Sequence, residues 1–383
     1  MNESNINYEK YSNLEKWIME QNENEFPSYE SSKGELPYTE RYTSLVRVLE
    51  PYHSIVEKGA MAQSYKCFID QIKKDISNSD IDSLVQTIGK DPAIYLNQHG
   101  KSHINKVIQK AGEMISFFNR DPLNASEVFI LLCAIQIHDI GNIFGRDGHE
   151  RSFQTEFRKI VENIIPDTPT QKCILKIASV HGGKINGSKD TITESKLRID
   201  GSLFNKPIRE TVLAALLRFA DELADDYSRG DLTALKLETI PEESVIFHEY
   251  SKALHSVKIS KNDYTKTCYI SLDYYVDTET LVKKFLKNGE DTLLIDEIFE
   301  RTKKMEKERR YCMRFLFPYI PLTEIKVRIE IYPSYDLIDS EVIEYTLKEE
   351  GYPLDEIKIN CENNSSDKIL ELLKTKGWID TEV

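Results

Sequence analysis

Two adjacent residues, His138 and Asp139, close the apolar run Ala134-Ile135-Gln136-Ile137 and lead into Ile140-Gly141-Asn142. An imidazole beside a carboxylate suits a metal ion. Nitrogen and oxygen donors together favour a first-row divalent cation such as Mn, Fe, Co, Ni or Zn, whereas a site for Mg alone is normally built from oxygen only. The preceding stretch, Val128 to Ile137, is apolar almost all round and predicts a helix buried on most sides. A charged aspartate at its end needs a partner there.

One dyad does not fill a coordination sphere, so the remaining histidines and the acids on apolar helices are the next candidates. The chain has eight histidines. His53 and His99 have no supporting context, and His248 and His255 lie in a region that reads as strands. His103 opens an amphipathic helix, His149 follows the dyad in Gly145-Arg146-Asp147-Gly148-His149-Glu150, and His181 ends the apolar segment Ile174 to Val180. Asp221 lies inside Val212 to Ala224, a helix otherwise apolar until its charged end. Ordinary buried polar residues satisfied by hydrogen bonds are the alternative to ligation.

In this order of residues the sequence resembles the HD superfamily of metal-dependent phosphohydrolases over roughly residues 95 to 230. The resemblance implies that His103 is the first metal ligand, His138 and Asp139 the dyad, and Asp221 the last. It implies an enzyme with a divalent ion (Mn, Fe, Co, Ni or Zn, with Mg a further option), a nucleotide substrate, room for a nucleotide regulator, and a mainly α-helical phosphohydrolase domain followed by a smaller α+β region. The run from His138 to Glu150 resembles, more narrowly, deoxynucleoside triphosphate triphosphohydrolases of the dGTPase type. It departs from them in lacking Pro-Pro, in placing Arg146 about where they have a histidine, and in shifting His149. A second branch, the HD phosphodiesterases, uses two further histidines for a second metal, and His149 and His181 stand in the right order for that. Both readings stay open, beside a third in which the protein senses nucleotides or acts as a scaffold with a non-catalytic metal site. Nucleotide homeostasis and phage defence are roles that such families often serve.

The task of such a site is to make water attack phosphorus near neutral pH, with the ion acidifying water and polarising the phosphoryl oxygen. His149 and His181 are either second-metal ligands or free imidazoles that protonate the leaving oxygen. Arg146 has the planar fork that suits phosphate, with a salt bridge to Asp147 or Glu150 as its alternative. Lys106, Lys184 and Arg229 are further substrate-binding candidates, each also readable as an ordinary surface cation. Asp225 and Asp226 read as a solvated helix end. The run Arg301 to Arg310 reads as a solvated helix with i,i+4 ion pairs, or alternatively as an anion-binding surface.

The 383 residues, 40% hydrophobic, allow a substantial core in one large or two medium domains. A net charge of −14, from 50 basic and 64 acidic residues, repels nucleic acid. Extended duplex is therefore not an expected partner, and any phosphate must be captured locally. No apolar run approaches the length of a membrane span, and the first residues lack a basic or hydrophobic leader, so a cytoplasmic protein is expected. A homo-oligomer is also expected. The six cysteines are scattered without Cys-x-x-Cys spacing, and Cys133 and Cys173 read as small core residues.

The elements that must position these residues follow from pattern. Residues 1–45 read as an N-terminal arm with one short helix at Leu14 to Met19, residues 46–235 as the helical catalytic domain, and residues 236–383 as the α+β region. Ser126-Glu127 after Asn124 predicts a helix start. Further on, Ser244 to His248, Ser256 to Ser260, Cys268 to Tyr274 and Glu324 to Ile331 predict strands. Glu279 to Asn288 and Leu293 to Met313 predict helices. The tail predicts a helix near Ser340 to Glu350, a strand at Glu356 to Ile359 and a helix near Asp367 to Lys376, stopped by Gly377. Tyr274 and Tyr275 read as core.

Overall fold

The computed structural model describes residues 13–19, 38–59, 100–144, 153–238, 240–335, 338–349 and 357–380. The chain divides into two compact units: Met1–Ala93 with Gln98–Ala224 and Arg314–Ile320, and Ile94–Asn97 with Asp225–Met313 and Pro321–Val383.

The first unit is helical. Its helices are α1 (Leu14–Met19), α2 (Tyr38–Gly59), α3 (Lys101–Ser116), α4 (Ala125–Ile137), α5 (Gln154–Val161), α6 (Thr168–Ala178), α7 (Thr191–Glu194) and α8 (Glu210–Leu223), with a two-stranded hairpin, β1 (Gly201–Leu203) and β2 (Lys206–Ile208), before α8. Helix α4 is buried along its whole length, as its apolar sequence requires, and Cys133 is among the buried residues. Asn124 starts it with a capping box: its Oδ1 accepts from the Glu127 N–H at 3.0 Å, and Glu127 Oε2 accepts from the Asn124 N–H at 3.1 Å. Glu127, 1% exposed, reaches further, to Arg209 at the start of α8. Its Oε1 accepts from the Arg209 N–H at 3.0 Å and from Nε at 2.8 Å, and its Oε2 accepts from Nη2 at 2.6 Å. One carboxylate thus ties together the beginnings of α4 and α8. Helix α6 starts on Asp167, whose Oδ1 accepts from the Thr170 N–H, with Pro169 in the first turn.

The second unit is built on a four-stranded sheet of order β3-β4-β7-β8, where β3 is Leu254–Lys261, β4 Cys268–Asp277, β7 Leu322–Tyr332 and β8 Glu341–Lys348. The central pair, β4 with β7, is parallel and the flanking pairs are antiparallel. Alternate residues of β7 (Ile325, Val327, Ile329, Ile331) are buried and the intervening charged ones are not, as the sequence pattern predicts. Between β4 and β7 run a short helix α11 (Thr278–Val282), a hairpin of β5 (Lys284–Lys287) and β6 (Glu290–Leu293), and the long helix α12 (Leu294–Leu316). The helices α9 (Leu232–Lys236) and α10 (Glu242–Ala253) precede the sheet, and α13 (Ser366–Thr375) ends in Gly377 at φ +70.

Four expectations are corrected here. Ser244 to His248 is helical, inside α10, because Pro241 followed by Glu242 and Glu243 is a helix-start signal that outweighs the β-prone Val-Ile-Phe. His248 is accordingly a helical residue, while His255 lies in β3. Glu279 to Asn288 is not one helix: the chain turns at Asn288 and Gly289, both at positive φ (54 and 81), the Asn-Gly signature of a tight hairpin. The segment near Ser340 to Glu350 is a strand, β8, whose Ile343, Tyr345 and Leu347 are buried with period two against β7. Residues 357–359 carry no regular structure, and Glu356 lies outside the described residues. The β1–β2 hairpin was not foreseen at all.

The arginines in the basic run of α12 are consumed internally. Arg301 pairs with Glu297, and Arg309 and Arg310 both pair with the fully buried Glu306. That supports the ion-paired helix over the anion-binding surface. Tyr274 is core, but Tyr275 is 39% exposed.

Candidate metal centre

Three helices of the first unit bring their ends to one place. His103 lies in the first turn of α3, His138 and Asp139 directly follow α4, and Asp221 lies in the last turn of α8. One donor atom from each of the four falls within 4.8 Å of all the others. His103 Nε2 is 3.0 Å from Asp221 Oδ1 and 3.6 Å from Asp139 Oδ2. His138 Nε2 is 3.3 Å from Asp139 Oδ2 and 3.6 Å from Asp221 Oδ1, yet it is in hydrogen-bond geometry with neither and is shut off from solvent.

That orphaned nitrogen tests whether the residues fit a cation. His138 Nδ1 lies 2.7 Å from the carbonyl oxygen of Ile135. A carbonyl only accepts, so Nδ1 carries the hydrogen, and in the neutral ring Nε2 turns a lone pair toward two carboxylates. Lone pair facing lone pairs is tolerable only with a positive charge among them. Without an ion, protons supply it. Burial alone would lower the His138 pKa, but Asp139, then Asp221, hold it well above the ordinary value. Burial alone would raise the Asp221 pKa, but the hydrogen bond to His103 and the positive charge of the neighbouring imidazoles hold it well below the carboxylate range. Two imidazoles and two carboxylates with a backbone carbonyl fixing one ring form a donor set that fits a divalent transition ion. Asp221, 27% exposed at its side chain against 6% for Asp139 and 0% for both histidines, forms the open side.

His181 joins the same cluster. Its Nδ1 lies 2.6 Å from the Ala178 carbonyl at the end of α6, repeating the arrangement of His138, and its ring meets the His138 ring edge-on at 4.9 Å between centroids. Its Nε2 is 3.7 Å from Asp139 Oδ1, the carboxylate oxygen opposite the one facing His103 and His138. Asn142 Nδ2 donates to the same Oδ1 at 3.2 Å. The sequence gives Asn142 no evident task beyond its position three residues after Asp139, in the turn leaving α4, which is the signal for this contact. His53 was likewise passed over. It is buried on α2, with Nε2 2.7 Å from the carbonyl of Gln136 in the last turn of α4.

The other candidates are placed as follows. Lys106 is half-buried on α3, one turn past His103. Lys184 is exposed, three residues past His181 and just after Gly183 at φ +64. Arg229 belongs to the second unit, where its guanidinium is 3.6 Å from Asp225. Asp226, read as a solvated helix end, is buried and caps the short 3-10 turn Tyr227–Arg229 through the Ser228 N–H. Arg146 and His149 lie outside the described residues, as does His99.

A family model, HD-CE, matches residues 93–303, just over half of the chain. The match spans all five residues of the cluster. No curated protein matches, and no solved structure does.

Proposed function

The chain belongs to the HD-CE family, and on that premise we propose that it is a metal-dependent phosphohydrolase acting on a nucleotide, with His103, His138, Asp139 and Asp221 holding the ion. The observation that carries the reading is the convergence of their four donor atoms within 4.8 Å around a buried imidazole nitrogen that has no hydrogen-bond partner. A divalent ion bound there lowers the pKa of its water to around 7 and polarises a phosphoryl oxygen. The chain's own residues do the rest. His103 and His138 present nitrogen from rigid helix ends, Asp139 and Asp221 offset the charge, and the carbonyl of Ile135 holds the His138 ring in its tautomer. The exposed edge of Asp221 is the side from which a phosphate reaches the cluster. His181 stands beside Asp139 and holds or delivers a proton at Nε2.

Within this class the first reading is a deoxynucleoside triphosphate triphosphohydrolase. It is supported by the run His138 to Asn142, in which Asn142 orients Asp139. Arg146 and Lys106 then bind phosphate oxygens, His149 supplies or removes a proton, and Lys184 is a weaker cation of the same kind. Arg229, already paired with Asp225, is the weakest. The second reading, a phosphodiesterase for a cyclic or short linear nucleotide, is favoured by His181. Asp139 turns Oδ2 toward His103 and His138 and Oδ1 toward His181, the two-sided carboxylate that a second ion needs. His149 would then be the second ion's other histidine.

Products separate the two. The protein is incubated with Mn and each deoxynucleoside triphosphate, and separately with cyclic and linear dinucleotides, and the products are resolved by chromatography. Intact triphosphate plus nucleoside establishes the first reading, and a monoester from a dinucleotide establishes the second. If neither substrate class is consumed, the nucleotide assignment falls. His181→Ala sharpens the result: the first reading expects one metal per chain retained and turnover lowered about 10²–10⁴-fold, whereas the second expects metal content to fall from two per chain toward one.

A further inference from the structure

A groove of 530 Å³ lies in the helical unit away from the metal centre, between the first half of α6, the start of α8 and the β1–β2 hairpin. It lies at the opposite ends of the helices that lead to the cluster. Glu210, which lines it, is eleven residues before Asp221, about 16 Å along α8. Three cations line it, Lys172, Lys176 and Arg198, together with the aromatic ring of Phe204.

The charge of this groove is not balanced from within. Glu210 is the one carboxylate among the described residues that line it, buried at 2%, and Arg198 already neutralises it: Nε donates to Oε1 at 2.7 Å and the Arg198 N–H to Oε2 at 2.9 Å. Gly201 permits that placement, since a Cβ there would stand 2.9 Å from Arg198 Nε and 2.9 Å from the carbonyl oxygen of Ile208. Lys172 and Lys176, both exposed, have no ion pair among the described residues. They are four apart on one helix face, where like charges repel. Two uncompensated lysines in one cavity, on a chain of net charge −14, are what a multiply charged anion requires.

Phe204 points to the rest of the ligand. It occupies the first turn position of the hairpin at φ +48, beside Asn205 at φ +62. Such a two-residue turn favours Asn, Asp or Gly, and a bulky residue there is strained. The strain places a ring, 37% exposed, against the cationic groove, where a planar group can stack on it. We propose that this groove is a second ligand site, separate from the metal centre, for a nucleoside phosphate, with Lys172, Lys176 and the outer edge of Arg198 on the phosphates and Phe204 on the base.

Isothermal titration calorimetry with ATP, GTP, CTP and UTP in excess EDTA tests this. Excess EDTA stops the metal-dependent reaction, and substitutions in the groove leave the residues of the metal centre in place, so the two stand or fall separately. At least one nucleotide should bind, and the double variant Lys172→Glu/Lys176→Glu should weaken it about 10-fold or more. Phe204→Asn should also weaken binding while raising the melting temperature, because asparagine accepts the left-handed turn. That combined result is not expected from damage to the fold. Tripolyphosphate should bind more weakly than the nucleotide. No binding of any of the four, or binding that both variants leave unchanged, overturns the proposal, as does tripolyphosphate binding as tightly as the best nucleotide.

Discussion

Helices α4 and α8 carry carboxylates at both ends, and the two ends treat them in opposite ways. At their beginnings Glu127 is met by Arg209 through three hydrogen bonds, plus the Asn124 N–H, and the charge is closed by the protein alone. At their far ends Asp139 and Asp221 face the imidazoles of His103 and His138, and the outer nitrogen of His138 is committed to the Ile135 carbonyl. Among the described residues, the same two helices therefore hold one carboxylate met by an arginine and two met by imidazoles. Buried charge as such is not the signature of a metal site. Carboxylates converging with imidazoles in place of an arginine are.

Asp139→Ala should have the largest effect. Outer-sphere partners of metal ligands are worth about 10–100-fold in affinity, so loss of a ligand should cost more than about 100-fold, and hydrolysis should fall to background; metal titration with a competing chelator measures it. At the other end the prediction is reversed. Glu127→Gln leaves the half-buried Arg209 without its buried counter-charge and should cost about 3 kcal/mol in denaturant unfolding, with metal affinity per folded molecule little changed. A Glu127→Gln protein as stable as wild type would remove the contrast.

Two buried histidines sharpen it. His138, beside carboxylates, is pushed up, whereas His53 is pushed down to about 4, because burial disfavours its charged form more than the Gln136 carbonyl favours it. A depressed histidine binds its proton more readily in the unfolded chain. Stability linked to His53 is therefore full above pH about 6.5 and lost as pH falls toward 4, by roughly 3 kcal/mol at most. Unfolding curves of wild type and His53→Gln across that range should converge as pH falls. Parallel curves would mean that His53 does not titrate as placed. The smallest effect is Asn124→Ala, which removes half of the capping box and should cost about 1 kcal/mol in thermal or denaturant melts.

How much of this was legible depended on how local each signal is. The order of His103, His138-Asp139 and Asp221, each on an apolar helix, was readable, and the structure brings the four together with His181. The Asn124 cap and the alternation of β7 were readable because they involve neighbours in sequence. The tie between Glu127 and Arg209 was not, since it joins residues 82 apart and neither has unusual local context. The misassigned segments share a different cause. Around Asn288-Gly289 and in Ile343 to Leu347, helix-compatible composition was allowed to outweigh a turn dipeptide and a period of two. The strained turn at Phe204 had no sequence signal, because an aromatic residue is not what such a turn normally carries.

The contact between His103 and Asp221 spans 118 residues of chain. At about 5–20 residues per second of synthesis, one partner leaves the ribosome roughly 6–24 s before the other. An ion held by the full set is therefore acquired after the helical unit has been made, from whatever metals the surrounding pool then offers. Mixed nitrogen and oxygen donors bind the later first-row ions more tightly, in the order of rising affinity from Mn toward Cu. The metal found in purified protein will therefore reflect the growth medium of the producing cell as much as the preference of the site. Protein from cells grown in defined single-metal media is the material on which substrate assays should be run.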